Sequence, residues 1–174
     1  MGVGSFGTAV LYWINVSLFV LMETYLGQMF IYVLPTVEVT AIVGVFINAI
    51  FLLFAGFNPP TASIPTGYMW VSYLTPNRYS NSILVALLFG HCSEDPTYDE
   101  ATQSYTNVGS EIGCQPLQNA PLAIGHTTVK NYIADVFEIR FDDMWSNFGY
   151  VFLYIAVIRI ISLLSLRYLN YQKR

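Results

Sequence analysis

The sequence predicts an all-α membrane protein with three transmembrane helices and one large extracytoplasmic loop. Of its 174 residues, 55% are hydrophobic and only 10% are charged, whereas a soluble domain carries about 25% charged residues. The apolar residues gather into three runs, each long enough to cross lipid. Nine of the eleven acidic residues lie between Glu94 and Asp143, outside those runs. Lipid is therefore predicted to surround much of the chain.

The three predicted spans are residues 6–34, 39–57 and 145–166. At 1.5 Å per residue the first could reach about 43 Å, enough for the hydrocarbon layer and both headgroup layers. Glu23 interrupts it, so we expect the second half of this span to pack against protein rather than lipid. The second run is a near-minimal span. Arg159 in the third can extend its side chain to the nearer interface.

Positive charge predicts the orientation of the spans. The tail, residues 167–174, holds three of the seven basic residues and no acid, so the positive-inside rule places it in the cytoplasm. The loop, residues 58–144, is then extracellular, and the first span begins outside. An outside N-terminus with no recognisable signal peptide is unusual for a complete protein. We therefore expect the chain to be a fragment of a longer protein or a truncated gene product.

The only two cysteines, Cys92 and Cys114, both fall in the predicted outer loop. That compartment is oxidising, so the pair predicts a disulfide. The alternative is a metal site that adds His91 and His126. We favour the disulfide and predict no metal, because adjacent residues 91 and 92 are poorly spaced for binding one ion.

Two stretches of the loop, residues 68–73 and 82–89, are aromatic or apolar but too short to cross a bilayer. We expect them to form short re-entrant helices that dip towards the outer leaflet. A small extracellular domain that buries the same residues is the alternative. Residues 128–141 show a helical repeat, and this helix is predicted to lie along the surface before the third span.

Nothing in the sequence indicates an enzyme. Neither lysine, Lys130 or Lys173, follows the glycine pattern of a phosphate-binding loop, and the two histidines have no obvious nucleophile as a partner. The basic residues form no cluster suited to nucleic acid. Glu23, the one acid inside a span, could be functional, but we expect it to pair with a polar group on an absent neighbouring helix. Asn48 could hydrogen-bond a substrate, but we expect it to bond a neighbouring helix. We predict no catalytic residue and no cofactor in this chain.

Short motifs follow one another in a characteristic order along the chain. They are Phe54-Ala55-Gly56-Phe57, Thr75-Pro76-Asn77-Arg78-Tyr79-Ser80, the cysteine pair, Asp143-Met144-Trp145 and the tail from Arg167. In this order they resemble the C-terminal end of full-size pleiotropic drug resistance transporters, the G subfamily of ABC transporters, over essentially the whole chain. The resemblance implies an ABC-2 type membrane domain of which this chain holds helices four to six.

The resemblance also implies a substrate path. In that family helix five lines a slit between two membrane halves, and the positions after its Phe-x-Gly motif form an apolar plug. The residues carried over by this motif are Val45, Phe46, Ala49 and Leu52 for the path, and Phe57 and Asn58 for the plug. Asn58 departs from the leucine often found there. Packing between helices is the alternative role for all six residues.

The function implied by the resemblance is ATP-driven export of hydrophobic or amphipathic compounds, such as drugs, lipids, sterols or toxins. The expected partners are membrane lipid, upstream helices, a second membrane half and nucleotide-binding domains that would hold ATP and Mg²⁺. The expected location is the plasma membrane. The alternative is a stand-alone three-span protein with a structural disulfide loop, either an adhesion protein or a channel subunit. A channel should line its pore with polar or charged rings, for which two polar residues give thin support.

Overall fold

The computed structural model describes residues 6–101, 104–117 and 125–169. Six helices and one hairpin form the described chain: α1 Phe6–Val33, α2 Val37–Leu53, α3 Met69–Leu74, α4 Pro76–Phe89, β1 Thr97–Asp99, β2 Ser104–Thr106, α5 Val129–Phe137 and α6 Met144–Tyr168. The fold is mostly helical, as the sequence predicts. The basic tail used to predict orientation lies largely outside the described residues.

Within the described residues, two stretches of helix are long and apolar enough to cross a bilayer. They are α1 and Phe141–Tyr168, which joins a short 3₁₀ turn to α6. The helix α2 is apolar but has only 17 residues, about 25 Å of rise against a hydrocarbon layer of about 30 Å. Length therefore supports two of the three predicted spans, and the crossing by α2 stays a prediction.

The helix α2 begins and ends with local signals. The Thr36 side chain accepts a hydrogen bond from the Val39 N–H and caps the start. Beyond Leu53 the chain turns at Gly56, whose φ of +83° suits glycine. A Cβ on that residue would lie 2.7 Å from Thr61 Oγ1. The prediction that this helix runs to residue 57 is therefore wrong at its end.

The helix α5 is also shorter than predicted. Glu138 adopts a left-handed conformation with φ of 55°, and its N–H donates to the Ile133 carbonyl. This cap ends the helix well before residue 141. The apolar repeat continues in sequence because Ile139 packs against Val85 and Ala86 of α4, together with Ile133.

The main core lies among α1, α4 and α6. Its buried members are Met22 and Leu26 of α1, Ile83 and Leu87 of α4, and Met144, Phe148, Val151 and Ile158 of α6. The helix α4 thus packs against both long helices. It starts six residues earlier than the predicted apolar run at residue 82, because Pro76 fits the first turn of a helix.

Large apolar side chains remain exposed along α1, α2 and α6. Trp13 is 72% exposed, Ile42 71% and Leu163 61%. Continuous apolar surfaces of this kind mark places that lipid or other protein covers. The fold therefore needs a non-aqueous environment around these three helices.

The loop is held by the predicted disulfide. Cys92 and Cys114 are joined, with their Cα atoms 5.2 Å apart. Between them β1 and β2 form an antiparallel hairpin in which Tyr98 pairs with Tyr105. The sequence analysis did not predict this hairpin, whose strands have only three residues each.

Candidate functional site

The helix α2 presents an apolar stripe whose members are all exposed. Val45, Ala49 and Leu52 follow a spacing of four and three residues, which places them on one side of a helix. Val45 is 73% exposed and Leu52 71%, and Ala49 is exposed as well. None of the 17 residues of α2 is buried by the described chain. This stripe therefore faces lipid, another protein or a ligand.

The other predicted path residues border the stripe. Phe46 lies beside it on α2 and is 66% exposed. Phe57 and Asn58 follow the helix in the turn made by Gly56, and both are exposed. The Phe57 ring lies 5.4 Å from the ring of Phe137 at the end of α5. The structure thus places four predicted residues along the helix and two in the turn at its end.

A groove runs between α1 and α2, with a volume of about 470 Å³. Gly27 and Gly44 line the groove without contributing a side chain, and the Phe30 ring lies at one side of it. Asn48 borders the groove, and its amide makes no hydrogen bond within the part of the chain that the structure describes. The sequence analysis did not identify this groove. The signal was present in the sequence, since Gly27 of α1 and Gly44 of α2 both line the groove.

Side-chain hydroxyls bond backbone carbonyls around the break between α3 and α4. The Ser72 hydroxyl donates to the Phe54 carbonyl at 3.1 Å. The Thr75 hydroxyl donates to the Val71 carbonyl at 2.9 Å. Two phenols, Tyr79 of α4 and Tyr154 of α6, donate to the Tyr73 carbonyl at 2.8 and 3.1 Å. Side chains therefore bond the Val71 and Tyr73 carbonyls at the break and the Phe54 carbonyl at the end of α2, and such bonding favours irregular backbone away from water.

A second polar contact joins α1 to α4. Asn15 is fully buried, and its amide donates to the Ser80 carbonyl at 3.0 Å. The Ser80 hydroxyl donates back to Asn15 Oδ1 at 3.3 Å. Asn15 heads a glycosylation-like triplet, but its burial gives it a structural role.

Glu23 finds a neighbour within this chain. The side chain of Asn77, in the first turn of α4, lies within hydrogen-bonding reach of the Glu23 carboxyl. Acidic groups are favourable near a helix N-terminus. Glu23 Oε1 and Asn77 Oδ1 are buried without a hydrogen-bond partner in the described part of the chain. The sequence analysis expected the partner of Glu23 on an absent helix, whereas the structure places Asn77 of α4, in this chain, beside it.

Ion pairs tie the loop to the helices. Arg78 lies 3.5 Å from Glu138 and donates to the Ser72 hydroxyl at 2.7 Å. Lys130 of α5 pairs with Asp95 at 2.7 Å. These contacts hold α5 and the disulfide segment against α4.

The two histidines of the loop are separated in the structure. The His126 ring stacks on Tyr98 with centroids 4.0 Å apart, whereas His91 Nδ1 lies 3.2 Å from Glu111 Oε2. A hydrogen bond from the Ser93 N–H holds the pKa of Glu111 below its ordinary value, and His91 lowers it further. A metal site that joins both histidines to the cysteines is therefore not formed.

Comparison with known proteins identifies the family of the first half of the chain. The profile of the family described as "ABC-2 type transporter" matches residues 1–89. This half of the chain contains α1 to α4, including the stripe on α2. It ends before the disulfide.

Two proteins of Dictyostelium discoideum are similar over most of the chain. ABC transporter G family member 2 is 27% identical over 153 residues, which cover 86% of this chain and 11% of that protein. ABC transporter G family member 6 is 24% identical over 147 residues, which cover 80% of this chain and 9% of that protein. The chain thus spans about a tenth of the length of the curated relatives it matches.

Proposed function

Because the chain belongs to the ABC-2 type transporter family, we propose that it lines the translocation path of an ATP-driven exporter. The observation that carries this proposal is the uncovered apolar stripe of α2. The described chain buries none of the 17 residues of this helix, so its apolar surface is open to lipid, to other helices or to a substrate. An apolar substrate passing between two membrane halves would supply part of that contact.

The proposed topology has three crossings. The helices α1, α2 and α6 span the membrane, the segment 58–144 lies outside the cell, and the chain after α6 enters the cytoplasm of a plasma-membrane protein. The disulfide supports the position of the loop, since disulfides persist in oxidising compartments. Packing against neighbouring helices and local thinning of the bilayer would accommodate the short α2.

The helices α3 and α4 form the proposed re-entrant segment. Their break lies beside Glu23 of α1 and Tyr154 of α6, both far from the helix ends. The bonds to the Phe54, Val71 and Tyr73 carbonyls support this placement, because unsatisfied backbone groups are costly in lipid. A segment at the surface would not need so many side-chain donors.

The similarity to two ABC transporters of the G family supports a proposal for the whole assembly. In the proposal, this chain works as helices four to six of a full-size pleiotropic drug resistance type protein. Nucleotide-binding domains elsewhere in the assembly hold ATP with Mg²⁺, and the remaining membrane helices complete the slit. The apolar stripe indicates hydrophobic or amphipathic substrates.

The test replaces Ala49 by tryptophan in the intact parent transporter. The added ring would fill the proposed path, so export of hydrophobic dyes should fall at least about tenfold, which corresponds to about 1.4 kcal/mol. ATP hydrolysis without substrate should continue. The matched control is Ala156→Trp, an exposed alanine on α6. Equal export by both variants and the unsubstituted protein would remove α2 from the path.

A further inference from the structure

Two oxygen atoms converge on the disulfide of the outer loop. The Glu94 carbonyl oxygen lies 3.0 Å from Cys92 Sγ and 3.7 Å from Cys114 Sγ. Glu111 Oε2 lies 3.7 Å from Cys114 Sγ. The ligand atoms of Cys92, Glu111 and Cys114 all lie within 4.8 Å of one another. Two sulfurs and two oxygens therefore point at one small volume.

The spacing of these atoms fits a tetrahedral ion. With bonds of about 2.3 Å to sulfur and about 2.0–2.2 Å to oxygen, neighbouring ligands of zinc are about 3.3–3.8 Å apart. The separation between Glu111 Oε2 and Cys114 Sγ is already 3.7 Å. Two separations would have to lengthen: that between the two covalently joined sulfurs, and the 3.0 Å between the Glu94 carbonyl oxygen and Cys92 Sγ. Reduction of the disulfide permits the sulfurs to part.

The carboxylate of Glu111 is already oriented. The Ser93 N–H donates to its Oε2 at 2.8 Å, and His91 Nδ1 lies 3.2 Å from the same oxygen. Metal-binding carboxylates in proteins are usually held by such additional hydrogen bonds. The arrangement therefore presents a fixed anionic oxygen beside the sulfurs.

We propose that, when the disulfide is reduced, Cys92, Glu111 and Cys114 form a binding site for one zinc-like divalent cation. The thiolates of Cys92 and Cys114 and the carboxylate of Glu111 bind the ion, and the Glu94 carbonyl or a water molecule takes the fourth position. The disulfide form lacks thiolates and does not bind it. Cys92 and Cys114 are thus linked by the disulfide in the oxidised chain and by the bound cation in the reduced chain.

A phosphine is the reductant that converts the disulfide into two thiols. The phosphine gives two electrons to the sulfur–sulfur bond, takes an oxygen atom from water and becomes a phosphine oxide. The two hydrogen atoms of that water end on the two thiols. Binding of the divalent cation then releases two protons, one from each thiol.

The test titrates Co²⁺, and then Zn²⁺ in competition, into the full chain in detergent after phosphine reduction and removal of excess reagent. The reduced chain should bind one Co²⁺ with the visible absorption of a tetrahedral sulfur site. The disulfide form should bind none. Bound Zn²⁺ should displace Co²⁺ and slow the reaction of the thiols with a disulfide reagent. No cobalt absorption in the reduced chain would overturn the proposal.

Two variants distinguish a metal site that uses Glu111 from metal binding by the two thiols alone. Glu111→Gln should weaken the affinity at least about tenfold, because the amide is a poor ligand. His126→Ala is the matched control and should bind as the unsubstituted chain does, because His126 stacks on Tyr98. Unchanged affinity in Glu111→Gln would show that unstructured thiols bind alone. Loss in His126→Ala would place the ligands elsewhere, and either result rejects the site.

Discussion

At the scale of single residues, buried polar pairs decide how α4 sits against its neighbours. The sequence places Asn15 in an apolar run, where it is expensive unless it is bonded. In the structure its amide nitrogen donates to the Ser80 carbonyl, and its amide oxygen accepts from the Ser80 hydroxyl. Such a pair fixes one register between two helices that apolar contacts alone would leave free to slide.

Asn15→Ala should lower the stability of the chain by about 1–3 kcal/mol, because the substitution leaves the Ser80 hydroxyl buried without its acceptor. The apparent unfolding temperature in detergent, followed by near-ultraviolet circular dichroism, measures the loss. Ser17→Ala is the control, since the exposed Ser17 hydroxyl bonds only within its own helix, to the Trp13 carbonyl. Asn15→Leu combined with Ser80→Ala should recover much of the stability. Equal unfolding temperatures for Asn15→Ala and Ser17→Ala would show that the pair has no energetic role.

The Tyr73 carbonyl provides a second prediction at this scale. Tyr79→Phe and Tyr154→Phe each leave the other phenol bonded to it, so each should cost about 0.5–1.5 kcal/mol. The double variant should cost more than the sum, because it leaves the carbonyl without either donor. A double-variant cycle of unfolding free energies measures the coupling. Strict additivity would mean that water reaches this carbonyl, which contradicts a re-entrant placement.

At the scale of elements, the residues that start or end a helix explain which boundaries could be predicted from the sequence. Pro35 and the start of α6 are visible in sequence, and the structure agrees with them within a few residues. The end of α2 was placed too late because Phe54 to Phe57 are as apolar as a helix interior. The left-handed cap at Glu138 had no sequence signal, since glutamate rarely adopts that conformation.

Gly56→Ala tests the end of α2. Its φ of +83° and the close Thr61 hydroxyl should make the substitution cost about 1–3 kcal/mol. The turn should also shift Phe57 away from Phe137 and thereby impair export in the parent. Gly67→Ala is the matched control, because nothing lies within 4 Å of its added Cβ. Thermal unfolding and dye export are the two measurements. If Gly56→Ala behaves as Gly67→Ala does, the turn tolerates other residues and does not position Phe57.

At the scale of the whole molecule, sequence patterns predicted the fold class well, but they did not predict which helices contact one another. Long apolar runs and two cysteines were enough for a helical membrane chain with a disulfide loop. The packing of α4 between α1 and α6 was not predictable, because its short apolar run fits a surface domain equally well. Asn77 beside Glu23 was missed for the same reason, since the two residues meet only when α4 turns back towards α1.

For the six predicted path residues, the structure shows exposure, and their contact with a substrate stays a prediction. Their exposure on α2 and its terminal turn agrees with a surface left for contact. Exposure alone does not distinguish substrate from lipid or a second protein. That distinction rests on the export measurement for Ala49→Trp.

Labelling of single cysteines in intact cells tests the three-span topology most directly. The native cysteines are paired, so a membrane-impermeant maleimide reports an introduced one. Ala101→Cys, in the loop, should be labelled from outside, whereas Glu38→Cys at the start of α2 and Leu169→Cys after α6 should react only once the membrane is permeabilised. Labelling of positions 101 and 38 from the same side would mean that the 17-residue α2 does not cross the membrane, and it would contradict the proposed path.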